Sequence, residues 1–579
     1  IGSLAMSWRN LGPILVIKNV QLLDTEQAYV FIEELDLQVD FWKSITRQQL
    51  ISERLILKGA KIFIDEGLWN TIEDKPNTNT NTNTTAGSNL SDPTQKPTEQ
   101  ADSFAFAQVA NLFLNRISTF SILDSEINIG DEKGRRFKIV RIRWHNEGDT
   151  HKAQGRVILD DLSDTQVKVS IDLKGDTAQS LMGKVYLHAK QLDITPWLKQ
   201  YLAVNNDNSS SSISFDAWAR IRNSEVDRLQ VDLYDNEVSW NSPSRQQIKL
   251  SPAQLLLVQN KSTEGFTLYS TPFSLSVNDY QATPFKLFMK KKKHEVTGYI
   301  STLDMVVASE ILPLFVKDKA LKQVFSTLSL SGTVDDIFIL NQAEHFVVDA
   351  KMTGISSDYS GGIPGVKNVS GHLNFHNNKL LVDISSENGV IDLQDQFVLP
   401  IPYNTLAMKS VFDFSEQGWE LTIKDIAISS PELTLSGGMK IEAPNNGETK
   451  MSLLMGIVKG DASVAEHYYP LNLMSESLFN YLDVALVEGD LTQANVLFNG
   501  PLSHFPFEDD AGVFVVDAEI EDGIFQFADG WAPITEFTAN LNFTNEGMMI
   551  TGRNGHLANI NIKGVEVGIA DLGNEQILT

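Results

Sequence analysis

The chain of 579 residues contains no cysteine. Disulfides, thiol nucleophiles and cysteine-ligated metals are therefore excluded. A thiol-free chain also suits an oxidising compartment, where stray cysteines would mispair. No apolar run reaches the ~18–20 residues that a helical membrane span needs. Cations are in short supply: Lys and Arg number 47 against 74 Asp and Glu, a formal net charge of -27. Such a surface repels nucleic acid and anionic headgroups at long range, so nucleic acid is not expected as a partner. Any lipid has to be met through apolar surface and not through a basic face. No signal-peptide pattern opens the chain. Ile1 is not an initiator methionine, and the chain stops soon after a strand-like pattern, Val565 to Thr579. The expectation is that both ends are cut from a longer protein.

Apolar residues are plentiful, with 42% hydrophobic and 9% aromatic, so most of the chain is expected to fold. Its length calls for several modules or a repeat array. The dominant signal is period-two alternation. Val167, Val169, Ile171 and Leu173 alternate with Lys168, Ser170 and Asp172. Phe514, Val516, Ala518 and Ile520 alternate with Val515, Asp517 and Glu519. Phe537, Ala539, Leu541 and Phe543 alternate with Thr538, Asn540 and Asn542. Each run reads as a strand with one apolar face. Similar runs occur at Leu37 to Phe41, Gly183 to Ala189 and Ile560 to Ile569, punctuated by turn signals such as Asn377-Asn378 and Asn545-Glu546-Gly547. One-sided strands in succession predict antiparallel sheet.

Helical spacing is confined to three stretches. Phe106, Val109, Ala110, Phe113 and Ile117 predict a helix near 104–117. A second is expected near 304–325, interrupted at Pro313, and a third near 475–486, capped by Ser475. Residues 77–102, opening on an Asn/Thr run, read as a disordered surface loop. Pro313-Leu314, Leu321 and Gly332 recur at one constant offset as Pro470-Leu471, Leu478 and Gly489. Leu373-Asn374-Phe375 recurs, at a somewhat larger offset, as Leu541-Asn542-Phe543. The expected organisation is a β segment over 1–76, the loop over 77–102, a β-rich module over 103–303, and two repeats of broken helix plus strands over 304–460 and 461–579.

Catalytic patterns do not emerge. The ten histidines lack ligand spacing, and His372 with His376 lies in a strand-like stretch. No G-x-S-x-G, P-loop or G-x-G-x-x-G is present, and Gly361-Gly362 with Gly365 reads as a turn. Asp160-Asp161 and Asp509-Asp510 sit in turn-like sequence, and Lys290 to Lys293 reads as a solvated hairpin end. The chain is therefore expected not to be an enzyme and to need no metal or cofactor. The strand pattern fits a sandwich whose apolar faces seal each other. It fits equally a sheet rolled into an open groove, with acyl chains in place of a second layer.

Several phrases resemble the YhdP branch of the AsmA-like envelope proteins. They are Gly183-Lys-Val-Tyr-Leu-His-Ala189 with Leu192-Asp-Ile-Thr-Pro-Trp-Leu198, and Gly489-Asp-Leu491 with Asn499-Gly-Pro-Leu502 and Phe505-Pro-Phe507. To these are added Gly512-Val-Phe-Val-Val516 and Gly523-Ile-Phe-Gln-Phe-Ala-Asp-Gly-Trp-Ala-Pro-Ile534, the most specific block. Pro13 to Leu22 resembles the region just after that family's N-terminal membrane helix. The resemblance implies a periplasmic protein of Gram-negative cells, anchored to the inner membrane in its full-length parent. It implies kinship with TamB and bridge-like lipid transfer proteins, and phospholipid movement between inner and outer membranes. Membrane contacts would be made through parts absent from this chain. No active-site residues come with the resemblance.

The expectation is thus a mainly β, elongated, twisted antiparallel sheet rolled into an open groove from repeated modules. Phospholipid acyl chains would be its partners. Val167, Val169, Ile171, Leu173, Phe514, Val516, Ala518, Ile520, Phe537, Ala539, Leu541 and Phe543 would line the groove. A scaffold that presents sheet edges to nascent outer-membrane proteins is the alternative. An adhesive or polysaccharide-processing repeat protein would need a solvent-facing aromatic or carboxylate cluster, and the pattern displays none.

Overall fold

The computed structural model describes residues 2–9, 12–24, 27–47, 52–64, 111, 113–129, 135–159, 162, 165–201, 209–241, 245–315, 327–360, 363–469, 471, 476–507, 509–526, 530–571 and 575–578. The expected loop at 77–102 lies outside them, as do Asp160-Asp161, Gly361-Gly362, Ser475, Leu321 and Pro470. Two compact units divide the chain, Ile1–Gln281 and Ala282–Thr579. Both are mainly β, mostly antiparallel, with few short helices.

In the first unit, Ser3–Arg9, Gly12–Asp24, Gln27–Val39 and Ser52–Ile64 pair in chain order, each antiparallel to the next. The following step departs from the all-antiparallel expectation. Ser52–Ile64 runs parallel to Thr119–Ile129. A parallel pair needs a crossover of a dozen or more residues, and the chain between Ile64 and Thr119 is ample for one. Antiparallel order then resumes through Arg135–Glu147, Thr150–Leu159, Val167–Lys174, Met182–Leu192, Ser210–Arg222 and Glu225–Leu233. The last hairpin turns at Asn223-Ser224, both with positive φ, as a two-residue turn of primed type requires. Glu225–Leu233 next pairs with Ala253–Asn260, while Asn236–Asn241 and Arg245–Leu250 form a side ribbon.

The second unit is simpler. From Leu287–Lys292 to Val513–Phe525, each strand pairs antiparallel with the next in sequence, and Ile534–Thr544, Gly547–Leu557 and Val565–Asp571 extend the order. Asn and Asp residues with positive φ recur inside these strands where the register shifts. Asn368, with φ 58, is one. Its Nδ2 donates to the Glu387 and Asn388 carbonyls at 2.8 and 3.1 Å, which holds the left-handed backbone in place. Such bulges bend and twist the strand that carries them.

The expected helix near 304–325 is present as Met305–Phe315, with Pro313 inside it and residues 316–326 outside the described set. That near 475–486 is Glu476–Ala485. Of 104–117, Asn111 and Phe113–Asn115 are helical, and 104–110 lie outside the described residues. Leu37 to Phe41 does not continue as strand. Asp40 accepts from the Lys43 amide at 2.9 Å through its side chain and starts the helix Phe41–Arg47. The helix Thr195–Tyr201 was hidden in sequence by its brevity, although Thr195-Pro196 is a good opening.

Candidate functional site

Residues paired across a ladder share a sheet face, so register reveals what each face is made of. In the first unit Ile142, Gly155, Val169, Leu187, Ala217 and Val231 stand side by side on six strands. The next row on the same face is Ala153, Ile171, Val185, Ala219, Leu229 and Leu257. At Gly155 a Cβ would lie 2.2 Å from the Arg141 carbonyl oxygen, so only glycine admits the strand this close. The reverse face carries Lys168, Ser170, Asp172, Lys184 and Arg220.

Burial along a single strand separates two zones. Val167 and Leu173, near the ends of Val167–Lys174, are 4% and 7% exposed, whereas Val169 and Ile171 between them are only half-buried. The ends are covered by identifiable pieces. Leu192, Ile194 and Trp197 fold back over Val167 and Ala189. Toward the other end Phe113 and Ile117 lie on Leu55, Phe120 and Trp144. Asn146 fastens that cover, donating to the Phe113 and Ile117 carbonyls at 2.6 and 2.7 Å. Fully buried His151 braces Asn146 at 2.8 Å and reaches the Gly175 carbonyl at 2.7 Å.

The second unit repeats this arrangement. Ile428, Leu435, Ile457, Ala494, Ala518 and Leu541 form one row, and Met455, Val496, Val516, Phe543 and Met548 the next. Ile520, Phe537, Ala539 and Leu541 are buried with Ala485 and partly buried Tyr481 of the helix Glu476–Ala485. At the opposite strand ends the Phe505 and Phe507 rings lie over Phe498 and Phe514, with Phe507 to Phe498 at 5.2 Å. Gly500 and Gly512 make the room: a Cβ on either would strike the Phe507 ring, at 2.6 and 2.4 Å. Between these covers Val516 and Ala518 are half-buried, as are Met439, Leu453, Met455 and Ile457 on neighbouring strands. Residues in a sealed sandwich core would be excluded from water. Each unit therefore presents a strip of apolar side chains, sheltered at its margins and open along its middle.

The twelve residues expected from alternation fall on these apolar faces, four in the first unit and eight in the second. Val516 faces Phe543, Ala518 faces Leu541 and Ile520 faces Ala539. Val167, Leu173, Ile520, Phe537, Ala539 and Leu541 are buried, and the other six are half-buried. Alternation did not find Leu255 and Leu257, because Leu255-Leu256-Leu257-Val258 is continuously apolar. It also missed Leu453 and Met455, because Leu454 between them is apolar yet 61% exposed on the reverse face.

Charged groups gather on the reverse face or at strand ends. Lys290 to Lys293 occupies a hairpin end, with Lys292 to Glu295 at 3.4 Å. His372 reaches Asp349 at 3.2 Å. His504, just before Phe505, sits between Asp509 at 2.5 Å and Glu448 at 3.1 Å. Hydrogen bonds to these two carboxylates hold its imidazole above the usual histidine range. None of the described helices is long and apolar enough to cross a membrane.

The family described as YhdP protein matches residues 1–579. The intermembrane phospholipid transporter YhdP of Escherichia coli (strain K12) is 23% identical over 595 aligned positions, which cover 99% of this chain and 45% of that protein. The chain thus spans a little under half the length of this relative. No solved structure matches.

Proposed function

From the premise that the chain belongs to the YhdP family, we propose that it is a segment of a periplasmic, bridge-like phospholipid transporter that acts between the inner and outer membranes. Acyl chains lie along the apolar strips, and headgroups remain in water. The parent protein is anchored to the inner membrane and meets both membranes through parts outside this chain. The protein's task is transport and not catalysis.

The observation that carries this reading is the half-burial of Val169, Ile171, Val185, Val516, Met439 and Leu453, which stand on the same apolar faces as the buried clusters. Leaving such a strip wet is unfavourable by ~25 cal/mol per Å² of apolar surface. An acyl chain supplies the missing layer. At ~0.8 kcal/mol per buried methylene, a chain of ~16 carbons gains on the order of 10 kcal/mol from full transfer and roughly half from a one-sided contact. A contact that repeats every ~4.8 Å from strand to strand lets the chain shift without a large barrier. Methionines at 439, 451 and 455 suit a surface that must accept chains of varied shape.

The test is mass spectrometry of lipid co-purified with the full chain without detergent, together with its binding of a phospholipid carrying a fluorescent acyl chain. Co-purified phospholipid and saturable binding of the probe are expected. A lipid-free protein that binds no probe would count against the reading.

A further inference from the structure

The polar face of the first unit holds an arrangement that lipid carriage does not use. Tyr186, Trp218, Gln230, Leu256 and Tyr269 stand in one transverse row on five successive strands. Beside it runs a second row of His188, Asp216, Asp232 and Gln254. Alternation along each strand could not expose this cluster, because its members come from strands spread between Met182 and Ser270. Trp218 is 38% exposed, and Tyr234 and Tyr269 are each 46% exposed, on a face otherwise occupied by Lys168, Lys184 and Arg228. Tyr186 and Trp218 lie with ring centroids 5.5 Å apart and tilted by 38°.

The polar row is fixed by its own hydrogen bonds. Asp216, nine-tenths buried, accepts from the Tyr186 hydroxyl at 2.5 Å, from the Tyr234 hydroxyl and from His188 Nδ1 at 2.8 Å. Burial pushes its pKa up, but these three bonds outweigh that and hold it below the usual range. The bond to Asp216 also raises the Tyr186 hydroxyl, to about 12, so it stays protonated and fixed. Asp232 Oδ1 accepts from Gln230 Nε2 at 3.1 Å and from Gln254 Nε2 at 2.9 Å. Both glutamine amides are thereby oriented, and their carbonyl oxygens remain able to accept.

We propose that this row is a binding site for a neutral oligosaccharide. A pyranose ring has one face of C–H groups and a rim of hydroxyls. The C–H face suits the electron-rich faces of Trp218, Tyr186 and Tyr269, since the aromatic quadrupole is negative there. The hydroxyl rim donates to acceptors, and these stand close by: the Gln230 carbonyl within the row, and Asp232 and the Gln254 carbonyl in the row beside it. Carboxylates at 216 and 232 select against an anionic glycan. From Trp218 to Tyr269 is three strand spacings, ~14 Å, so the ligand is a short run of sugars and not a single one. Because the acceptors are already held in place by Asp232, little side-chain ordering is left to oppose binding.

The test uses the full chain, with the N-acetylglucosamine tetramer and maltotetraose as probes, in calorimetry and saturation-transfer NMR. Saturable binding of at least one probe is expected, with transfer to the sugar C–H protons. Trp218→Ala and, separately, the exposed Gln254→Ala are each expected to weaken it by about tenfold, with the melting temperature of Gln254→Ala unchanged. Should Trp218→Ala fail to fold, Trp218→Leu keeps apolar bulk without the aromatic face and should lose binding likewise. The proposal is overturned if neither probe binds saturably, or if binding persists at full strength in both Gln254→Ala and a folded Trp218 variant.

Discussion

Ile171 stands directly across the ladder from Val185, and both side chains are half-buried in the open zone of the first unit's apolar face. Four residues earlier on the same strand, Val167 lies 4% exposed under the Leu192–Trp197 cover. One substitution at two sites in one strand therefore has two outcomes. Val167→Asp places a carboxylate in a closed cluster and should destabilise the unit by about 4 kcal/mol or more. Ile171→Asp keeps its charge hydrated and should cost only about 1 kcal/mol, half the gain of a fully buried side chain. Chemical denaturation of both variants measures the difference.

The same contrast holds in the second unit. Leu541 is 3% exposed among Ala539, Met548 and Ile550, so Leu541→Ala leaves a cavity and should cost about 2–5 kcal/mol. Val516, one row away, is half-buried, and Val516→Ala should cost about 1 kcal/mol or less. Equal losses, read from thermal unfolding, would show that Val516 is as tightly packed as Leu541.

The loop Leu502–Ala511 should respond to pH. His504 is raised from 6.5 by Asp509 and Glu448, so its contribution is fully present below the unfolded value and fades as pH rises through the folded one. Asp509, lowered by His504 and the Ala511 amide, contributes above its unfolded value and loses this as pH falls through the depressed one. The loop should be best protected between those limits. Amide exchange at Phe507 and Ala511, corrected for intrinsic rates, should show looser protection on the alkaline side. His504→Ala should remove that alkaline change.

Deleting residues 77–102 should leave the melting temperature nearly unchanged. What remains between Ile64 and Thr119 still exceeds the dozen residues that a parallel crossover needs, and loop closure depends only weakly on length. A marked drop in thermal stability would mean that the deleted residues pack against the sheet.

Much of this fold was legible because period two is a local signal. Val167 to Leu173 and Phe537 to Phe543 declare their faces without reference to any partner strand. The parallel pairing of Ser52–Ile64 with Thr119–Ile129 was not legible, since it depends on a crossover and on no feature of either strand. The Asp40 cap was readable in principle, but Leu37 to Phe41 alternates so well that its last residue was drawn into the strand. Which apolar residues are covered and which stay open was beyond reach as well. Val167 and Ile171 are equivalent in pattern and differ only in whether Leu192–Trp197 folds above them. The row through Tyr186, Trp218 and Tyr269 exists only once register is known.

The central claim is that the half-buried strip carries acyl chains. Leu453 and Leu454 are consecutive, chemically identical and on opposite faces: Leu453 is half-buried in the strip, and Leu454 is 61% exposed on the reverse face. A photo-crosslinking amino acid placed at each position in turn, in protein expressed in a Gram-negative envelope, reads lipid contact directly by mass spectrometry of the adducts. The account predicts phospholipid adducts at position 453 and none above background at 454. Equal labelling at both positions, or labelling at 454 alone, would contradict it.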